Sequence, residues 1–264
     1  MSEERSAGWP TVEEAREAMK EGKGAGIKVA VIDSGVDATH PRLSKMRLVD
    51  SVGFDESGGS VNVVEGAGTD SYGHGTAVAD IIHRLAPEAE IGSFRVIDAR
   101  SLSRTHLICA GVNEAIKRGY HVLNCSFGCR GLAKFIMPYK DWADRAWLQN
   151  IHVVAACSNT DSSEAEWPAH FANVFGVDLA DSETDDIYFN PDHMVNFSAR
   201  GENVEVAWMG GGVQLQTGTS FAAPLISAHI SRILSVYPNT APSMMHTILS
   251  NLSEPWHPGL SPDW

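Results

Sequence analysis

The sequence predicts an α/β fold in three layers, with a mostly parallel central sheet covered by helices on both faces. Three observations predict it. Short apolar runs recur at Ile27 to Ile32, Ile91 to Ile97, His121 to Cys125, Ile151 to Ala156 and Asn173 to Val177, each the length of a strand buried on both faces. Between them lie segments with apolar residues at helical spacing, AVADIIHRL, THLICAGVNEAIKRG and MPYKDWADRAWLQN. Strand thus alternates with helix, the pattern of a parallel sheet joined by helical crossovers.

From the N-terminus, TVEEAREAMKEG is a charged helical segment, and GKGAGIKVAVIDSG brings in the first strand between glycines. The stretches GFDESGGSVNVVEGAGTDSYG and DLADSETDDIYFNPDH are acidic or Gly-rich and read as loops. Gly119 stands where a helix C-cap would close the segment beginning at Thr105. Near Ser220 a helix starts and runs through FAAPLISAHISRILSVY, a mostly apolar stretch that implies burial. Pro224 is expected in its first turn, where a missing N–H costs little. Beyond Pro238, APSMMHTILSNL forms a further helix, whereas the tail SEPWHPGLSPDW, with three prolines, does not.

A chain of 264 residues, 43% hydrophobic and 20% charged, suits one domain with a large core. Its 33 acidic and 20 basic residues give a net charge of -13, with no basic run to track phosphates, so nucleic acid is excluded as a partner. The opening MSEERSAGWP lacks an apolar targeting core, and no stretch approaches the roughly 20 apolar residues of a membrane span. No membrane partner and a cytoplasmic location are expected. Cys109, Cys125, Cys129 and Cys157 do not form the framework of a small secreted domain and are expected as reduced, mostly buried thiols. A redox pair or metal site among Cys125, Cys129 and Cys157 is the alternative.

In an open parallel sheet the reactive crevice lies beyond the carboxyl ends of the strands. Asp33 ends the first strand, in VIDSG, where a carboxylate can orient a histidine and stabilise its imidazolium; alone, it equally reads as a cap or turn Asp. His74, in DSYGHGTAVADII, opens a helix whose Val78, Ile81, Ile82 and Leu85 face inward. Gly73 and Gly75 single it out, by allowing the backbone to approach a substrate. Ser220, in GTSFAAP, stands at the positive end of a helix, the place for a nucleophile that must carry developing negative charge. An ordinary Ser N-cap is the plainer reading.

VIDSGVDATHP, GHGTAVA and GTSFAAP, in that order, resemble the three signature segments of the subtilisin-like serine proteases, over roughly residues 8 to 240. The resemblance implies a subtilisin-like fold and a catalytic triad of Asp33, His74 and Ser220. VVAACSN is similar to the segment that supplies an oxyanion-binding Asn, here Asn159, although Ser158 precedes it where the family more often has Gly. LNCSFG resembles the substrate-pairing segment, so Ser126, Phe127 and Gly128 are expected to line the primary specificity pocket, beside an extended peptide added as a strand. A Tyr-Pro pair follows the base of that pocket in the family; here it is Trp167-Pro168, which puts Glu166 at the base. A carboxylate there favours Lys or Arg before the cut, and a Glu166 turned to solvent would leave the pocket apolar or plugged.

Many family members hold a structural calcium. Arg42 stands at the first expected ligand position, and HGTAVADIIHRLAPEAEIGSF leaves no room for the calcium loop, so no metal and no cofactor are expected. The implied organisation is an N-terminal segment 1–25, too short for the pro-domain of secreted relatives, a catalytic domain 26–252 and a tail 253–264. An endopeptidase of this kind acts on protein or peptide substrates. Without an inhibitory domain it is expected to process a partner protein selectively, or to answer to an activating or inhibiting protein. A latent or silent subtilase-fold interaction module is the alternative, and esterase or acyl-transfer chemistry a third.

Overall fold

A computed structural model describes residues 9–58, 60–131, 133–161 and 164–261. Residues 1–8 of the N-terminal segment and 262–264 of the tail lie outside the described residues. The chain forms α1 (Val12–Glu21), β1 (Lys28–Asp33), β2 (Arg47–Ser57), β3 (Ser60–Glu65), α2 (His74–Leu85), β4 (Glu90–Arg95), α3 (Thr105–Lys117), β5 (Val122–Cys125) and α4 (Ala133–Leu148). There follow β6 (His152–Ala156), β7 (Phe175–Ala180), β8 (Ile187–Phe189), β9 (Phe197–Arg200), β10 (Val204–Trp208), β11 (Gly212–Gln216), α5 (Thr219–Val236), α6 (Pro242–Leu252) and β12 (Glu254–Pro255).

Ten strands make one sheet, in the order β12-β8-β9-β7-β6-β5-β1-β4-β2-β3. From β2 to β9 through β1 all neighbours are parallel. β1 lies between β4 and β5, so the strand order reverses around it and its carboxyl end opens at the switch point. Alternate residues of β1 feed two cores. Val29 and Val31 pack with residues of α2, α5 and α6, and Ala30 and Ile32 with residues of α3 and α4. That two-sided burial explains the unbroken apolar run.

The N-terminal helix is capped as its sequence allows: the Glu14 N–H donates to Thr11 Oγ1 at 3.2 Å, and the Thr11 N–H donates to Glu14 Oε2 at 2.8 Å. Its Ala15 and Ala18 are buried, and the helix lies against α5.

Three expectations are corrected. The Gly-rich region before His74 is not a loop throughout, because β2 and β3 form an antiparallel hairpin there. Most of β3 is exposed, so it carries no buried apolar run to betray it. The acidic stretch after β7 contributes β8, which pairs with β9 and, in parallel, with β12 of the tail. Pro224 is the sixth residue of α5, not part of its first turn. It therefore cannot give the Ser220 carbonyl the N–H that a regular helix would supply. Ser126 Oγ donates to that carbonyl instead, at 3.3 Å.

Candidate active site

The reactive groups sit at the end of the central strand β1 and at the starts of two helices, α2 and α5. Asp33, fully buried, closes β1. His74 opens α2 and donates from Nδ1 to both Asp33 oxygens, at 2.9 Å and 3.0 Å. Asp33 Oδ1 also accepts the Ser34 N–H at 2.7 Å, so the carboxylate is fixed from two sides. Burial alone would push His74 down; the Asp33 charge and hydrogen bond, with a smaller contribution from Asp70, outweigh it and hold the imidazole above the usual histidine range.

Asp70 was not singled out by the sequence reading, and it organises this turn. Its Oδ1 accepts from Ser34 Oγ at 2.8 Å, from the Tyr72 N–H at 2.9 Å and from the Gly73 N–H at 2.8 Å. Its Oδ2 accepts from the Thr76 N–H at 2.9 Å and from Thr76 Oγ1 at 2.5 Å. The available signal is a carboxylate four residues ahead of His74, in a Gly-rich stretch that reads as loop.

The glycines beside His74 are required by the protein's own packing. Gly73 has φ +115, and a Cβ there would lie 2.7 Å from the Trp208 ring. A Cβ on Gly75 would lie 2.1 Å from the Gly35 carbonyl oxygen and 3.1 Å from Asp33 Cβ. Any side chain at Gly75 would thus push α2 away from β1.

Gly218 caps α5 and Ser220 is its second residue, so the hydroxyl is not an N-cap. The ring of neighbouring Phe221 lies 5.4 Å from the His74 ring, centroid to centroid, which brings the start of α5 beside His74. Asn159 follows β6 on the other side. Its Oδ1 accepts the Thr219 N–H at 2.8 Å and Thr219 Oγ1 at 3.1 Å, while Thr219 Oγ1 also reaches the Cys157 carbonyl at 2.8 Å. With the amide oxygen so held, the amide NH2 is the end left to donate elsewhere.

Among the expected pocket residues, Ser126 is buried, accepts from Asn124 Nδ2 at 3.0 Å, and holds Ser220 through its carbonyl. Phe127 packs edge-on to Tyr139 at 6.2 Å. Glu166 does not turn to solvent: its side chain is 16% exposed and lies against Gly128, where a Cβ would come within 2.4 Å of Glu166 Cδ. Burial raises its carboxyl above the ordinary range, and Arg130 and His170 offset part of that. Arg130, also not anticipated, stands 3.7 Å from Glu166 Oε1.

The cysteines are all free, and among the described residues no group of three His, Cys, Asp or Glu could hold a metal ion. Arg42, expected at the first calcium-ligand position, pairs with Asp80 at 3.3 Å and Glu205 at 3.0 Å. No described helix is long and apolar enough to cross a membrane.

Comparison with known proteins gives one consistent result. A model of the subtilase family, Peptidase_S8, matches residues 24–255. Subtilisin DY of Bacillus licheniformis is 30% identical over 253 residues, covering 87% of this chain and 84% of the relative. The subtilisin-like protease het-Q2 of Podospora anserina is 30% identical over 253 residues, covering 79% of this chain and 69% of the relative. A cold adapted subtilisin-like serine proteinase of solved structure superposes with a TM-score of 0.70 at 21% identity, covering 88% of this chain and 83% of that one. A second solved structure, the S41 psychrophilic protease, gives 0.72 at 22% identity, covering 87% and 83%.

Proposed function

The chain belongs to the subtilase family and is a subtilisin-like serine protease, and on that premise we propose that it cuts peptide bonds with Ser220 as nucleophile, His74 as proton carrier and Asp33 as the carboxylate that orients it. One observation carries this reading: a buried Asp33 takes the His74 Nδ1–H at 2.9 Å, which leaves Nε2 as the basic atom.

As Ser220 Oγ bonds to the substrate carbonyl carbon, its proton passes to His74 Nε2. The oxyanion that forms is met by the Asn159 amide NH2 and the Ser220 backbone N–H. Such donors act where charge develops, and one is worth a few kcal/mol in the transition state (about 3). Collapse expels the amine, which takes the proton from His74, and water repeats the sequence on the acyl-enzyme.

The finer part of the proposal is selective processing of a partner protein, after Lys or Arg, in the cytoplasm. The enclosed Glu166 carboxylate beside Gly128 supports the basic preference. Four free thiols suit a reducing compartment. An activating or inhibiting protein partner and independence from calcium belong to the same reading.

Labelling with a fluorophosphonate tests the chemistry. The protein should be labelled and Ser220→Ala should not; equal labelling, or none, removes the mechanism. Rapid, unselective digestion of casein would remove the processing role.

A further inference from the structure

The specificity pocket proposed above contains a cation of its own. Arg130 follows the segment Ser126 to Gly128, on a loop tied to the Glu166 loop by the Cys129 N–H on the Trp167 carbonyl at 2.8 Å and the Trp167 N–H on the Cys129 carbonyl at 3.0 Å. From there its guanidinium reaches across. Nη1 meets Glu164 Oε2 at 2.8 Å, Nε stands 3.7 Å from Glu166 Oε1, and Nη2 donates to Thr160 Oγ1 at 3.1 Å and to Ser158 Oγ. Ser158 and Thr160 flank Asn159 on the facing loop. One side chain thus joins the wall that bears Gly128, the carboxylate at the base and the opposite wall.

Ser158 also gains a reason. The hydroxyl that stands where relatives more often have Gly accepts Arg130, as well as the Thr160 N–H at 3.3 Å. A Gly there would leave Thr160 Oγ1 as the side-chain acceptor of that end of the brace. At 44% exposure Arg130 is not locked in the core, and its stem can swing to solvent without unpacking the fold.

We propose that Arg130 determines specificity as a resident brace: its guanidinium takes the place of a substrate's long side chain against Glu166, so that small side chains enter the pocket freely and long ones must first displace it. The inference rests on the reading of Ser126 to Gly128 and Glu166 as the substrate pocket. A long cationic side chain that displaces Arg130 inherits its contact with Glu166. A long neutral one inherits nothing, so Glu166 favours the cation among long side chains, while the brace sets the cost that every long side chain meets.

The test uses peptidyl phosphonates that differ only in the side chain before the reactive phosphorus: alanine, norleucine or lysine. Rates of Ser220 inactivation are compared as ratios in the wild-type protein and in Arg130→Ala. The norleucine-to-alanine and lysine-to-alanine ratios should each rise roughly tenfold in Arg130→Ala, the order expected when a partly exposed charge-assisted contact no longer has to be given up. A rise of less than threefold in the norleucine ratio overturns the inference.

The basic preference is read separately, from lysine against norleucine. If Arg130→Ala raises the norleucine ratio but treats lysine and norleucine alike, the brace stands and the basic preference falls. Lysine favoured in Arg130→Ala but not in the Arg130→Ala, Glu166→Gln double variant supports both. Should no phosphonate react, the proposed chemistry fails, and benzamidine affinity by calorimetry decides on Arg130 alone. Tenfold tighter binding to Arg130→Ala supports the brace, and equal or weaker binding overturns it.

Discussion

Replacing Ser126 with alanine should weaken the hold on the first turn of α5, by an amount that depends on residue 224. Pro224 cannot donate to the Ser220 carbonyl. Ser126 Oγ does so at 3.3 Å, while accepting from Asn124 Nδ2 at 3.0 Å, in a buried setting. The first contact is longer than a usual O–H···O bond and is worth about 1 kcal/mol or less; the stranded Asn124 amide adds about 1 kcal/mol. Ser126→Ala should therefore cost about 2 kcal/mol of folding stability. In a Pro224→Ala background the helix recovers an N–H that reaches the Ser220 carbonyl, and the cost should fall to about 1 kcal/mol. Urea unfolding of the four proteins, each also carrying Ser220→Ala to prevent self-digestion, gives the coupling directly. A coupling indistinguishable from zero would refute the argument, since the hydroxyl would then contribute nothing to the carbonyl that proline deprives.

Asn159→Ala should lower kcat by roughly a hundredfold or more with little change in KM, as loss of a donor that acts only on the oxyanion requires; a purely KM effect would deny it that role. Because His74 is held above the usual histidine range, it stays protonated to higher pH, and the acid limb of kcat/KM should lie to the alkaline side of a free histidine. Asp70→Asn should move that limb to lower pH, and pH-rate profiles of the two proteins measure it. Addition of EGTA should leave Tm unchanged, because Arg42 is paired with Asp80 and Glu205; a fall would reveal a bound calcium elsewhere.

Much of the centre was legible because its signals are local. Asp33 ends an apolar run, His74 lies between glycines, and Ser220 stands at the start of an apolar helix. Each can be read within about ten residues, and the parallel sheet follows from the same runs. What escaped is of two kinds. β3 and β11 lie at a sheet edge and in a separate hairpin, where exposure removes the continuous apolar signature of a central strand, while β8 and β10 are only three and five residues long. Arg130, Glu164 and Ser158 meet only because loops after different strands converge, and no spacing along the chain encodes that. Gly73 and Gly75 stand out beside His74 in the sequence, but their crowding by Trp208 and Gly35 depends on the folded chain and has no local signal.

The helix that presents Ser220 is interior along almost all of its 18 residues, a length of about 27 Å, and touches α1, α2 and strands from β5 to β9. Most catalytic loops can soften while the body of a protein stays intact. Here the reactive oxygen is mounted on the central beam, so the nucleophile should keep its place until the whole domain collapses, and any earlier loss of turnover on heating should come from the loops that carry Asn159 and the substrate pocket.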